Sequence, residues 1–181
     1  VALNQKEQLM QSLSKIEMSV LKASSDTVDE ARLRLSEAEL IMKWVEKAKQ
    51  VETKGQIILD NSSYYGVILE NGDEISIPSD NALLDIYGEV LFPLTITFSE
   101  NNSVEDLVKN AGGLSNEKAD NRIIIKSRSG MVRRADMDTK LVKGDEVMIL
   151  PEVDVKSFQL AKDIRQIMYQ IAVSAGVLLA L

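Results

Sequence analysis

The chain has 181 residues, of which 45% are hydrophobic, and its formal net charge is -7 at pH 7. This length allows one large or two small domains with a real core, and the apolar content argues against wholesale disorder. The chain has no Cys and no His, which excludes disulfides, thiolate catalysis, His-based triads and zinc sites built on either residue. Residues 55–151 hold 16 of the 28 acidic but only 9 of the 21 basic side chains, so this region is expected to repel nucleic acid.

Residues 1–54 are predicted to form a helical hairpin. The first helix is indicated by apolar residues at helical spacing, with no Gly or Pro between them: Leu9, Leu13, Ile16 and Val20. The break at residues 24–27 is followed by a capping box in which Thr27 is paired with Glu30.

The second helix carries two apolar faces. One is a seam of heptad type, made of Val28, Ala31, Leu35, Ala38, Met42 and Val45. The other consists of Leu33, Leu40, Ile41 and Trp44. A lone hairpin cannot cover both faces, so the second is expected to pack against the β region of this chain or against a neighbouring subunit.

Residues 55–82 echo a later part of the chain. The stretch Leu69–Pro78 parallels Leu141–Pro151, and each is preceded by an aliphatic run. Two copies of a strand–turn–strand ending predict two related β units, the first represented only by its C-terminal part. The opening half of that first unit is expected upstream of Val1, with the hairpin as an insertion. The chain, which begins without a signal sequence, is expected to be a fragment or a mature piece.

Residues 83–151 are predicted to form a complete α+β unit around one short helix. Ser103 and Asp106 fit a capping box, and Gly112 and Gly113 can take positive φ at the other end. The helix has one apolar stripe, made of Val104, Leu107, Val108 and Ala111. Strands are indicated by apolar alternation or β-branched runs around residues 84–90, 96–98, 123–125 and 147–149, with a tight turn at 129–130.

The pairs Gly72-Asp73 and Gly144-Asp145 are predicted to form turns, because Gly permits positive φ and Asp accepts hydrogen bonds from nearby N–H groups. A calcium site is the alternative, but the pairs lack the alternating spacing of oxygen ligands that such loops show. The sequence places no two carboxylates together for acid–base catalysis.

Residues 152–181 are predicted to form an amphipathic helix. The segment from Gln166 to Leu181 has no charge, but it reaches only about 24 Å, short of the ~30 Å hydrocarbon core. Starting at Phe158 makes the helix long enough and adds three charged residues. Three settings suit such a helix: a ring of like helices around a pore, the membrane interface, or a groove of its own domain.

The order of these motifs resembles the SLBB (soluble-ligand-binding β-grasp) domain, in particular that of the KpsD-like and Wza-like capsular polysaccharide export proteins of Gram-negative bacteria. The positions that carry the resemblance are Gly88, Glu89, Pro93, Gly112, Gly113, Gly144, Asp145 and Pro151. The tail around Gln166–Val173 also resembles the KpsD-like proteins. The resemblance implies an α+β fold: a β-grasp-like module, an N-terminal helical hairpin and a C-terminal amphipathic helix.

The resemblance also implies a function. The chain is expected to belong to a ring-forming structural transporter that carries capsular polysaccharide across the periplasm and outer membrane, with no enzymatic activity and no cofactor. The implied partners are further copies of itself, an inner-membrane export complex with its periplasmic co-polymerase, the polysaccharide, and the outer membrane. The C-terminal helix would make the membrane or assembly contact through Phe158, Ile164, Ile167, Met168 and Ile171. The alternative is a β-grasp module that binds a soluble ligand or glycan without translocating it.

Overall fold

The computed structural model describes residues 2–21, 28–59, 66–116, 122–153, 155 and 158–176, and the side chains of residues 28–31, 33 and 158 lie outside the description. The chain forms two compact units, Val1–Gly55 with Leu150–Leu181, and Gln56–Ile149. We call them the helical unit and the β-grasp unit. In chain order, the elements formed by the described residues are α1 (Ala2–Leu21), α2 (Val28–Lys49), β1 (Leu83–Gly88), β2 (Leu94–Thr97), α3 (Val104–Asn110), β3 (Ile123–Lys126), β4 (Val132–Ala135), β5 (Glu146–Ile149) and α4 (Phe158–Ala175).

In the helical unit, α1 packs against both α2 and α4. The predicted stripe of α1 is confirmed, since all four of its apolar residues are buried. They join one core with Ile41, Trp44, Val45 and Ala48 of α2 and with Ala161, Ile164, Ile167, Met168 and Ile171 of α4. The hairpin and the tail, predicted as separate segments, therefore share one core.

Within this chain, Leu35 of the predicted heptad seam is 65% exposed and Leu40 of the predicted second face is 59% exposed, so neither side chain is covered here. The buried positions instead follow 41, 44, 45 and 48, a stripe of the i, i+3, i+4, i+7 type. The cover for Ile41 and Trp44 is the core of the helical unit, to which α4 contributes. The predicted capping box at Thr27 lies outside the described residues.

Polar contacts hold the ends of the helices in the helical unit. The Lys6 Nζ donates to the backbone oxygens of Lys49 and Val51, at 2.6 Å each. These carbonyls lie at the C-terminal end of α2, where a cation is favoured. The N–H of Lys54 donates to the Ser174 oxygen at 2.9 Å, which ties the chain after α2 to the end of α4.

The β-grasp unit contains a five-stranded sheet in the order β2-β1-β5-β3-β4. Strands β1 and β5 are parallel, and the other neighbouring pairs are antiparallel. Helix α3 buries its predicted stripe against the inward-facing residues of this sheet. The predicted α+β class is therefore confirmed, and so is the sheet around one short helix.

The strands predicted for the first half-repeat are not formed. Within residues 56–59 and 66–82 the structure assigns no strand, and every one of these residues is exposed. The turn at Asn71 and Gly72 is present, with Gly72 at φ +100°. A strand needs a neighbouring strand to satisfy its backbone groups, and no strand of the described sheet pairs with these residues.

Candidate functional site

The capping box predicted for α3 is confirmed. The Ser103 side chain accepts from the Asp106 N–H at 3.3 Å, and the Asp106 carboxylate accepts from the Ser103 N–H at 2.9 Å. The Ser103 hydroxyl also donates to that carboxylate at 2.7 Å, and this bond, followed by the bond from the Ser103 N–H, lowers the pKa of Asp106. The two bonds donated by backbone N–H groups also serve the helix itself. They satisfy first-turn N–H groups that have no partner within the helix.

The motif after β1 and the motif after α3 lie against each other. The Leu91 N–H donates to the Gly113 oxygen at 3.1 Å, and the Phe92 N–H donates to the Ala111 oxygen at 3.0 Å. Gly112, at φ +83°, faces the ring of Phe92, and a Cβ there would lie 3.0 Å from a ring carbon. The fold thus places the loop after Gly88 against Gly112 and Gly113, with Pro93 directly after that loop.

Glu89 links the loop after β1 to the sheet by hydrogen bonds. Its N–H donates to the Ile149 oxygen at 3.0 Å, and its backbone oxygen accepts from the Ser115 N–H at 3.1 Å. The carboxylate of Glu89 accepts from the Ser115 hydroxyl at 2.7 Å. Each polar group of Glu89 therefore has a partner in the framework of the β-grasp unit.

Gly144 and Asp145 lie at the opposite end of β5, where this strand joins β1. The Gly144 N–H donates to the Leu83 oxygen at 2.9 Å, and a Cβ on Gly144 would lie 3.1 Å from the Arg128 side chain. The Asp145 carboxylate accepts from the Val142 N–H at 2.9 Å. The pair therefore forms the predicted turn. Pro151, beyond the other end of β5, is buried and belongs to the helical unit.

Asp145 is buried, with 2% of its surface exposed. Burial raises the pKa of its carboxyl, while the Val142 hydrogen bond and the Arg133 charge oppose the rise. Arg133 lies 3.8 Å from the carboxylate, so the pairing is loose and burial dominates.

A charged network that the sequence analysis missed lies on the sheet face opposite α3. The Tyr87 hydroxyl donates to Glu146 at 3.2 Å, and the Lys126 Nζ donates to both oxygens of Glu146 at 2.9 and 3.0 Å. Burial and the Glu146 charge raise the pKa of Tyr87. The three residues lie on three adjacent strands. The only sequence signal that they share one face of the sheet is that side chains along a strand alternate between its two faces.

The residues predicted to contact a membrane or a neighbouring subunit lie mostly in the helical core. Ile164, Ile167, Met168 and Ile171 are at most 2% exposed. Phe158 begins α4, and its side chain lies outside the described residues. Of the three settings predicted for this helix, a groove of its own domain is the one observed here. No helix in the described ranges is both long and apolar enough to cross a bilayer.

The part of the chain that the structure describes contains no group of three or more acidic side chains arranged to hold a metal ion. The described residues of the predicted motifs instead form hydrogen bonds at both ends of β5, and these bonds stabilise the β-grasp unit.

Comparison with known proteins places this framework among relatives. No family model matches the chain. Two proteins of Escherichia coli, each named polysialic acid transport protein KpsD, are 41% identical to it over 181 residues, which is 100% of this chain. The chain spans about a third of the length of these relatives, 32% in each case. The predicted resemblance to the KpsD-like polysaccharide export proteins is therefore confirmed along the whole of this chain.

Proposed function

We propose that the intact protein is a ring-forming structural subunit of a conduit that carries capsular polysaccharide across the periplasm and the outer membrane. The observation that carries the proposal is the 41% identity, over every residue of this chain, to proteins named for polysialic acid transport. Because the chain spans about a third of those relatives, transport is proposed for the longer protein. This chain is proposed as a building block of its wall.

The titratable groups of the β-grasp unit support a structural role. Burial raises the pKa of Tyr87 and of Asp145. In active sites, titratable groups with shifted pKa values lie together in a cleft and face the substrate. Here the Tyr87 hydroxyl binds Glu146 and the Asp145 carboxylate closes a turn. Both groups thus have partners within the framework, which favours a subunit that performs no catalysis.

The proposal includes the location and the partners of the protein. The protein works in the periplasm and at the outer membrane of a Gram-negative bacterium. Its partners are further copies of itself, the inner-membrane export complex with its periplasmic co-polymerase, and the polysaccharide. Contact with the outer membrane through the C-terminal helix stays a prediction. Contact through Ile164, Ile167, Met168 and Ile171 requires this face of α4 to leave its packing in the helical core.

Export is tested by deleting the gene in the bacterium that makes the protein. Surface polysaccharide should be lost while polysaccharide accumulates inside the cell, and the wild-type gene should restore the surface layer. Leu107→Asp places a charge in the β-grasp core, where Leu107 is fully buried, and should fail to restore it. Val142→Thr, at a position 61% exposed, is the matched control and should restore it. Unchanged surface polysaccharide after deletion would reject the proposal.

The ring is tested on the intact protein extracted in detergent, whose particle mass should be three or more times the mass of one subunit. A monomer under all extraction conditions contradicts the ring. If export survives deletion while calorimetry detects saturable binding of polysaccharide fragments to this chain, the alternative function, glycan binding without translocation, replaces the conduit.

A further inference from the structure

We propose that Asn71 is a site of spontaneous deamidation, at which the side-chain amide is lost as ammonia and an aspartate or an isoaspartate remains. Asn71 is the one asparagine of the chain that a glycine follows. The structure presents this Asn-Gly pair in an open turn, and the modification is independent of what the protein transports.

The reaction needs only the backbone nitrogen that follows the asparagine. The nitrogen of Gly72 loses its proton and attacks Cγ of Asn71. The new C–N bond closes a succinimide ring, the Cγ–Nδ2 bond breaks, and the amide group leaves with that proton as ammonia. Water then opens the ring: hydrolysis at Cγ leaves an aspartate, and hydrolysis at the main-chain carbonyl leaves an isoaspartate, whose backbone runs through the side chain. Water is consumed and ammonia is released, so no other reactant is needed.

The turn at residues 70–73 leaves both reacting groups accessible. Asn71 and Gly72 are exposed, and a Cβ added to Gly72 would meet no atom within 4 Å. Because glycine has no Cβ, its nitrogen reaches Cγ of the preceding residue without the steric hindrance that a side chain would add. The described chain thus leaves open space on the glycine side of the reaction.

Within the described chain, neither reacting group makes a hydrogen bond. The two bonds that close the turn belong to its outer residues. The Asp73 N–H donates to the Glu70 oxygen at 3.1 Å, and the Glu70 N–H donates to the Asp73 carboxylate at 2.8 Å. No bond of a described residue involves the Gly72 N–H or the Asn71 side chain. The nitrogen can therefore lose its proton, and the amide can rotate toward it, without breaking a contact.

A second turn in the chain separates the effect of structure from the effect of sequence. Residues 142–145 make the same two closing bonds, with Lys143 in the place of Asn71. Here, however, the Gly144 N–H donates to the Leu83 oxygen at 2.9 Å. This nitrogen must lose its hydrogen bond before it can attack. An asparagine placed at position 143 should therefore deamidate more slowly than Asn71.

The product differs from asparagine in charge and, for isoaspartate, in backbone length. Three acidic residues, Glu70, Asp73 and Glu74, already lie close to position 71 in the chain. A further carboxylate there adds like-charge repulsion. An isoaspartate also lengthens the main chain within the turn, which moves the Asp73 N–H away from the Glu70 oxygen. Deamidation should therefore open the turn.

Peptide mapping by mass spectrometry tests the modification on the intact protein, incubated at mildly alkaline pH and sampled over days. The peptide with Asn71 should gain the mass of an amide-to-acid change and should contain both aspartate and isoaspartate. Peptides with Asn101 and Asn102 should gain it at least about tenfold more slowly, a difference of about 1.4 kcal/mol in activation free energy. The rate should rise with hydroxide concentration, because the Gly72 nitrogen must lose a proton. No mass gain at Asn71, or an equal gain at the other asparagines, would overturn the proposal.

Two substitutions in the intact protein give matched controls. Asn71→Lys keeps the turn, because Lys143 has that place in an equally bonded turn, and it should abolish ammonia release from this position. Lys143→Asn gives the second turn the same Asn-Gly-Asp-Glu sequence, yet this asparagine should deamidate about tenfold more slowly than Asn71, equivalent to about 1.4 kcal/mol. In urea the two rates should become equal, because both turns are lost. Equal rates in the folded protein contradict the role assigned to the open turn.

Discussion

The buried face of α4 offers the sharpest test of what holds the helical unit together. Ile171 is fully buried in the core that α1, α2 and α4 share. Ile171→Ala removes three carbon groups, which at about 0.8 kcal/mol each give about 2.4 kcal/mol of lost burial. The cavity left behind adds to this loss, so we expect a decrease of about 3 kcal/mol in the free energy of unfolding, within the range of about 2–5 kcal/mol for such changes.

Trp44 provides the assay, because it is the single tryptophan of the chain and lies in the same core. Its fluorescence, followed during urea unfolding, reports on the helical unit. With a denaturant dependence of about 1–3 kcal/mol per M, the midpoint should fall by about 1–3 M urea. Val173→Ala is the control on the same helix, at a position 43% exposed, and should change the free energy by less than about 0.5 kcal/mol.

Equal midpoints for the two variants would refute the reasoning. The apolar face of α4 would then contribute nothing to the core that surrounds Trp44. In that case the face would be available for the membrane or assembly contact that the sequence resemblance implies.

Three further predictions concern single contacts. Ser103→Ala removes the N-cap of α3 and should lower the free energy of unfolding by about 1 kcal/mol in urea titrations followed by circular dichroism; an unchanged value would count against the capping box. Lys6→Met removes the charged donor to two backbone oxygens at the C-terminal end of α2 and should lower the Trp44 unfolding midpoint by an amount equivalent to about 1–2 kcal/mol. The pKa of Asp145 is raised above its ordinary 3.8 in the folded protein, so the folded state binds more protons and this group lowers stability as pH rises from about 3.8 through the folded pKa. Asp145→Asn should remove that decrease, and a stability difference from wild type that does not change with pH would contradict it.

Helix α3 was predictable because all of its signals are local. The capping box spans Ser103 to Asp106, the stripe repeats within two turns, and Gly112 and Gly113 follow directly. Each signal lies within a few residues of the others and needs no distant partner. The same holds for the Gly144-Asp145 turn, whose hydrogen bonds close within one turn of chain.

The faces of α2 were not predictable in the same way. Periodicity shows that Leu35, Leu40 and Ile41 are apolar, but it does not say how many helices pack on them or from which side. The answer depends on α4, which lies more than a hundred residues later in the chain. Ile41 is buried in the core that α1, α2 and α4 share, whereas Leu40 is exposed.

The two similar stretches, residues 69–78 and 141–151, show most clearly which structure depends on local sequence and which depends on distant contacts. Glu74–Ile77 and Glu146–Ile149 have similar sequences and follow the same kind of turn, yet only the second segment is a strand. The turn needs only its own Gly and Asp, whereas the strand needs β1 and β3 beside it. Sequence reasoning predicts both parts from the pattern, but in the described chain a strand forms only where its partner strands are present.

The position of α4 also limits how this protein can touch a membrane. Four apolar side chains of the helix are buried in the helical core: Ile164, Ile167, Met168 and Ile171. Exposing each costs about 1.5–3 kcal/mol, so freeing the whole face costs about 6–12 kcal/mol. That amount is comparable with the entire stability of a typical domain. Binding to a bilayer or to a neighbouring subunit must therefore offset a free energy comparable with the stability of the helical unit before this face of α4 can make the contact.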